Sequence, residues 1–164
     1  MYEYRCKVLK VVDGDTVDVD IDLGFGIVLK DERVRLMGID TPESRTRDKV
    51  EKVFGNASKK RLKEMLDNKS GPILKTQINK KGEDMKGKFG RILGDFTVYH
   101  AQTDSWRLVT EIMVEEGHAV AYFGGSKEEI AAKHLVNRDK LLREGIVSKA
   151  DFNKATALME KKKK

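Results

Sequence analysis

An α+β fold, a small barrel of five strands with helices interposed and following, is what this chain predicts. Three observations lead there. Strand-like patterns crowd the first 40 residues, helical periodicity appears only afterwards, and strands do not alternate regularly with crossover helices as a doubly wound sheet requires. At 164 residues the chain is long enough for one domain with a real core and short for two.

Tyr4 to Val12 reads as a first strand, rich in valine, and Asp13-Gly14 as the turn after it. From Thr16 to Asp22 the alternation is strict: Val17, Val19 and Ile21 on one face, Asp18, Asp20 and Asp22 on the other. Gly24-Phe25-Gly26 breaks that run, and Ile27 to Leu29 with Val34 to Ile39 returns as its partner, an extended hairpin near residues 18–36. Arg45 to Asp67 carries apolar residues at intervals of three and four, the mark of an amphipathic helix, with Gly55 or Asn56 at its start or at an irregularity. Ile73 to Ile78 and Arg91 to Tyr99 read as the fourth and fifth strands, joined by a charged loop. Leu108 to Glu116 predicts a short helix stopped by Gly117. Ser126 with Glu129 opens a third helix running to about Gly145, with Leu135, Leu141 and Leu142 facing the core. Residues 1–150 are thus expected as the domain, and 151–164 as a basic fourth helix or tail. A five-stranded barrel of the OB type fits the count.

Composition narrows the classes of function. No apolar run approaches the roughly 20 residues of a membrane-spanning helix, so no membrane partner is expected. Cys6 is alone, which removes an internal disulfide framework and argues against a cysteine metal site. The start of the given sequence has no basic leader followed by an apolar stretch, so intracellular residence is the default expectation, with export of a processed form left open. A monomer without an obligate protein partner is expected. Net charge is +6, and Lys161 to Lys164 supply four of those charges. Distribution matters more: Asp13, Asp15, Asp18, Asp20 and Asp22 form an acidic cluster, while 45–63 and 75–91 are largely basic. Acids beside basic flanks are what a metal bound under a phosphate requires.

The densest chemistry is in Arg35-Leu-Met-Gly-Ile-Asp40-Thr41-Pro42-Glu43, an apolar strand that delivers acids to one end and is stopped by proline. If the second and third strands pair antiparallel, Asp15 at the start of one lies beside Asp40 at the end of the other. Carboxylate oxygens suit Ca²⁺ or Mg²⁺, and no paired His or Cys set suggests zinc. Arg35 and Arg91 offer planar forks for phosphate oxygens, and Glu43 a group to orient or deprotonate water. Each piece also has an ordinary explanation. Asp13-Gly14-Asp15 suits any turn, Asp40 to Glu43 suits a helix cap, and Arg35 suits a surface ion pair. An EF-hand is excluded, because Leu23 and Leu29 fall where its glycine and bidentate acid belong. His100, His118 and His134 are scattered and suit structural or surface roles, and Trp106 suits an anchor for the helix after it.

Taken together, Asp13-Gly-Asp-Thr16, Arg35 to Glu43, and Lys88-Phe-Gly-Arg91, in that order, closely resemble the motifs of the staphylococcal nuclease (thermonuclease) family. The resemblance runs from about Val8 to Gly145 and includes Ala119-Val-Ala-Tyr122. It implies an OB-fold barrel with three helices and a calcium-dependent endonuclease of low specificity, acting on DNA and RNA to leave 3′-phosphate and 5′-hydroxyl ends. By position, Asp15, Asp40 and the Thr41 carbonyl would hold calcium, with magnesium the lesser candidate. Glu43 would be the general base, Arg35 and Arg91 would clamp the scissile phosphate, and Lys88 and Tyr122 would contact a bound nucleotide. Three departures stand out: Phe89 replaces a frequent tyrosine, the segment from Asp15 to Arg35 is longer, and the tryptophan common near the end of the third helix is missing. A noncatalytic nucleic-acid-binding OB module is the alternative, and the joint presence of Asp15, Arg35, Asp40, Glu43 and Arg91 weighs against it.

Overall fold

The computed structural model describes residues 2–67, 71–77, 81, 84, 86 and 90–163. Strands β1 (Glu3–Asp13), β2 (Thr16–Gly24) and β3 (Ile27–Leu36) form the expected antiparallel meander, with Val8 opposite Val19 and Val17 opposite Val34. After β4 (Ile39–Asp40) and helix α1 (Lys49–Leu66) come β5 (Ile73–Thr76) and β6 (Ile92–His100). β5 pairs with β1, and β6 pairs with β5 and runs parallel to β3, with Val34 opposite Ile92. This last pairing closes β3-β2-β1-β5-β6 into the predicted five-stranded barrel. Closure explains why Val17, Val19, Val34, Leu74 and Phe96 are fully buried: period-two alternation on each strand sends one side chain in two inward, and no edge is left to admit water.

The remaining elements pack around the barrel. β7 (Ser105–Leu108) extends the sheet from β6 and leads directly into α2 (Val109–Glu116), which ends on Gly117 in the left-handed conformation. β8 (Val120–Ala121) pairs with β4; α3 (Lys127–Arg143) and α4 (Lys149–Lys163) follow. The chain therefore has four helices among the described residues, three as expected and the fourth the helical alternative expected for 151–164. α4 docks on α1: the Phe152 ring meets Phe54 edge-on with centroids 6.1 Å apart, and Ala155 is buried. Phe54, Leu141 and Val147 form a second small core beneath this contact.

Two expected details are corrected. Leu135 does not face the core but is 58% exposed, because α3 turns His134 and Asn137 toward the barrel and buries Leu141 nearer its end. Trp106 is half exposed and lies edge-on to Tyr99 rather than anchoring α2. The long hairpin is stiffened on its outer face, where Arg33 grips Asp18 with two bonds of 2.8 and 3.1 Å and the Asp31 amide donates to Asp20 at 2.9 Å. At its tip Phe25 is wholly exposed.

α2 begins at Leu108 without a side-chain cap of its own. Asp95 on β6 supplies the acceptor instead, taking hydrogen bonds from Thr110 and, at 2.8 Å, from the Phe96 amide. Burial pushes its carboxyl from 3.8 up to about 6, with those bonds pulling the other way. Between these values the folded protein keeps a proton that the unfolded chain has released, so the group favours folding most at the acid end and less as pH rises to about 6. In urea titrations, the stability of the wild type minus that of Asp95→Asn is expected to fall by on the order of 1–3 kcal/mol across that window and then level off. A difference that is constant with pH would overturn the assignment.

Candidate functional site

The antiparallel register of β2 and β3 sets Thr16 opposite Arg35, which places Asp15 beside the arginine. The Leu36 amide donates to the Asp15 carbonyl at 2.8 Å, holding the turn in place, and the Thr16 hydroxyl donates to the Asp15 carboxylate at 2.8 Å. Arg35 then completes the corner. Its Nη2 lies 3.2 Å from Asp15 Oδ2 and donates to the Ile39 carbonyl at 3.2 Å, while Nη1 donates to the Leu36 carbonyl at 2.5 Å. A single guanidinium thus ties the start of β2 to the residue before Asp40. Arg91 directly precedes Ile92, the partner of Val34 across the parallel pair, in which Arg35 lies opposite Leu93.

Asp40 and the segment after it are positioned from two sides. Gly38 turns the chain from β3 into β4 at φ 77°, a conformation that disfavours any side chain, and its carbonyl accepts the Tyr122 amide at 2.8 Å. Asp40 pairs with Val120 on β8, and its Oδ2 lies 2.7 Å from His134 Nε2 on α3. Thr41 and Ser44 are buried, each with a hydroxyl oxygen that has no protein partner. Glu43 between them is exposed, and its amide donates to the Glu51 carboxylate at 3.4 Å. The segment is pressed against α1 at Gly55, where an added Cβ would fall 2.3 Å from the Glu43 carbonyl oxygen and 2.6 Å from the Ser44 nitrogen. Gly55 is therefore neither the start of the helix nor a flaw in it, but the point of contact with the acidic loop.

Of the residues expected at a site, Asp15 and Arg35 are in direct contact, and Arg35 also reaches the Ile39 carbonyl, where the segment bearing Asp40, Thr41 and Glu43 begins; Arg91 stands one residue before β6. Tyr122 stands just beyond β8, about half exposed, its backbone bonded to Gly38 beneath Asp40. Lys88 and Phe89 lie outside the described residues. His118 is buried and accepts the Ser58 hydroxyl through its backbone carbonyl, and His100 bonds Thr103 in a surface turn, both structural positions. His134 departs from that expectation. No sequence signal marks it, because its contact spans 94 positions.

The Asp15 and Asp40 carboxylates and the Thr41 carbonyl are oxygen donors of the kind a hard divalent cation takes, and the buried Thr41 and Ser44 hydroxyls beside them have no protein partner. Among the described residues no cluster of three or more His, Cys, Asp or Glu side chains is assembled.

A model of the family described as "Staphylococcal nuclease homologue" matches residues 33–156. The match takes in Arg35, Asp40, Thr41, Glu43, Arg91 and Tyr122, while Asp15 precedes it. The chain is 28% identical over 120 residues to a micrococcal nuclease of Shigella flexneri, covering 73% of this chain and 59% of that protein. It is 31% identical over 123 residues to Protein ParB of Escherichia coli, covering 73% and 58%. With a thermonuclease of Staphylococcus intermedius it shares 34% over 86 residues, covering 52% and 44%. The chain therefore spans less than two thirds of the length of each of these relatives.

Replacing Gly55 with alanine is expected to lower stability by about 1–3 kcal/mol, as overpacking does, and to raise the hydrogen-exchange rates of the Thr41, Glu43 and Ser44 amides more than those of α1. Unchanged exchange in that loop would show that the helix does not hold it. His134→Ala is expected to loosen the Asp40 side chain with little change in unfolding midpoint, read from the carboxylate carbon resonance of Asp40; an unaltered resonance would refute the contact.

Proposed function

This chain belongs to the staphylococcal nuclease family, and from that premise we propose that it is a Ca²⁺-dependent endonuclease of low specificity. Its substrates are DNA and RNA, and its products carry 3′-phosphate and 5′-hydroxyl ends. The observation that carries the reading is the Arg35 guanidinium joining Asp15 to the β4 strand that bears Asp40, a cation and two carboxylates held at one barrel mouth. Enzymes that cut phosphodiesters need both signs together, because the phosphate must be gripped while charge on its oxygens is neutralised.

In this proposal Asp15, Asp40 and the Thr41 carbonyl hold the cation, for which calcium is preferred over magnesium because the donors lie on a loop and strand ends that tolerate a larger, less regular shell. A bound cation supplies Lewis-acid stabilisation of negative charge on the phosphoryl oxygens. Arg35 and Arg91 grip the same phosphate and bind it more tightly as its charge grows in the transition state. Glu43, exposed and anchored through its backbone by Glu51 and Gly55, orients a water and takes its proton as the water oxygen bonds to phosphorus. The bond from phosphorus to the 5′ oxygen breaks, and that oxygen leaves as a hydroxyl after gaining a proton. Lys88 and Tyr122 contact the flanking nucleotide. Contacts directed at phosphate carry no base information, which accounts for low specificity.

Plasmid DNA and single-stranded RNA incubated with the protein and Ca²⁺ are expected to be cut, with less cutting in Mg²⁺ and none in chelator. Absence of cleavage with every metal, while nucleic acid still binds, would replace the enzyme with a noncatalytic binding module. Glu43→Ala and Arg35→Ala are each expected to lower turnover by at least about a hundredfold with the fold intact, the cost of one lost transition-state contact. Near-normal turnover in either variant would refute its role.

A further inference from the structure

α4 carries a lysine-rich end, and its docking determines where those lysines sit. The Lys49 amide at the start of α1 donates to Met159 Sδ at 3.4 Å, and Phe152, two turns earlier in α4, packs on Phe54. The two helices therefore run in opposite directions, and the end of α4 comes back to the start of α1. Lys161 and Lys162, both exposed, follow Met159 by about 3 Å and 4.5 Å of helical rise. The start of α1 is also where the loop from Glu43 arrives, bringing exposed Arg45 and Arg47. Beside this junction Lys49, Lys52 and Lys154 line a groove of about 340 Å³ between the helices, with Asp151 as the one acid among its lining residues. Asp48 caps α1 and Glu51 accepts the Glu43 amide, while Glu160 stands exposed beside Lys161 and is outnumbered by the lysines around it.

We propose that α4 and the first turns of α1 form an accessory track for the sugar-phosphate backbone of a nucleic-acid strand that extends past the catalytic loop. The inference rests on the reading of the chain as a nuclease, and adds to it a binding surface outside the reacting phosphate. Exposed lysines on flexible stems suit a backbone bound without sequence preference, since each acts as a point charge that displaces a condensed counterion. The track is reached only by substrates long enough to run from the barrel mouth over the α1 start, so it favours long chains over short ones.

The test uses the full chain in chelator, so that nothing is cut, and fluorescence anisotropy with a labelled single strand of roughly 20 nucleotides and with a trinucleotide. Lys161→Gln combined with Lys162→Gln is expected to make the slope of log affinity against log salt shallower by about 1.4 for the long strand, roughly 0.7 for each lost phosphate contact. Trinucleotide binding is expected to stay unchanged. The charge-preserving pair Lys161→Arg and Lys162→Arg should keep the wild-type slope, which separates loss of charge from loss of fold. An unchanged slope in the glutamine variant, or an equal loss for both lengths, overturns the proposal. The two readings fail separately: a lysine-dependent slope without plasmid cleavage in any metal leaves the track and removes the nuclease, whereas cleavage with an unchanged slope does the reverse.

Discussion

The contact on which the site depends is the one made by Arg35. Its guanidinium reaches the Asp15 carboxylate and the carbonyls of Leu36 and Ile39, so that one side chain fixes a turn, a strand end and the entry to the acidic loop. The ion pair is largely shielded from solvent, and what it adds to the site is geometry. A planar fork with several donors determines where its acceptors stand, as a lysine in the same place would not. Removing it would take away the side-chain tie between Asp15 and the Ile39 carbonyl beside Asp40.

The loop bearing Thr41 to Ser44 is held from beneath by a different principle, exclusion of volume. α1 approaches it so closely that only glycine fits at position 55, and Gly14 packs on Ser58 and Thr41 with similarly little room. Side chains from the barrel and a bare helix surface together position a loop that has little hydrogen bonding of its own. The His134 contact adds a third direction, from α3 to Asp40. The acid that lies farthest along the chain from Asp15 among the two carboxylates is thereby held by elements on both sides of the barrel mouth.

Much of this was legible in the sequence. Strict alternation from Thr16 to Asp22 gave the hairpin and its inward face, and antiparallel pairing alone brought Asp15 to the end of the next strand, since register is a local consequence of the turn. The ordered motifs gave the family and the barrel. What was hidden depends on contacts between distant segments. The parallel β3–β6 pair joins residues 58 positions apart, β4 and β8 are only two residues each, and neither leaves a periodic trace. Gly55 looked like an irregularity because its partner is a backbone carbonyl, which no sequence pattern records. Leu135 misled for the opposite reason: apolar spacing on α3 suggested a buried stripe, yet the helix turns His134 and Asn137 toward the barrel and buries Leu141.

The parallel pairing of β3 with β6 also sets an order of events in folding. Its two strands are separated by α1 and β5, so the entropy of closing that loop is spent before the contact returns anything. Arg35 meets Asp15 as soon as the hairpin forms, because that corner is local. Arg91, one residue before Ile92, comes alongside β3 only when the barrel shuts. During synthesis the chain therefore carries the Arg35–Asp15 corner before residue 92 has emerged and paired, and barrel closure is the later step that sets β6 beside it.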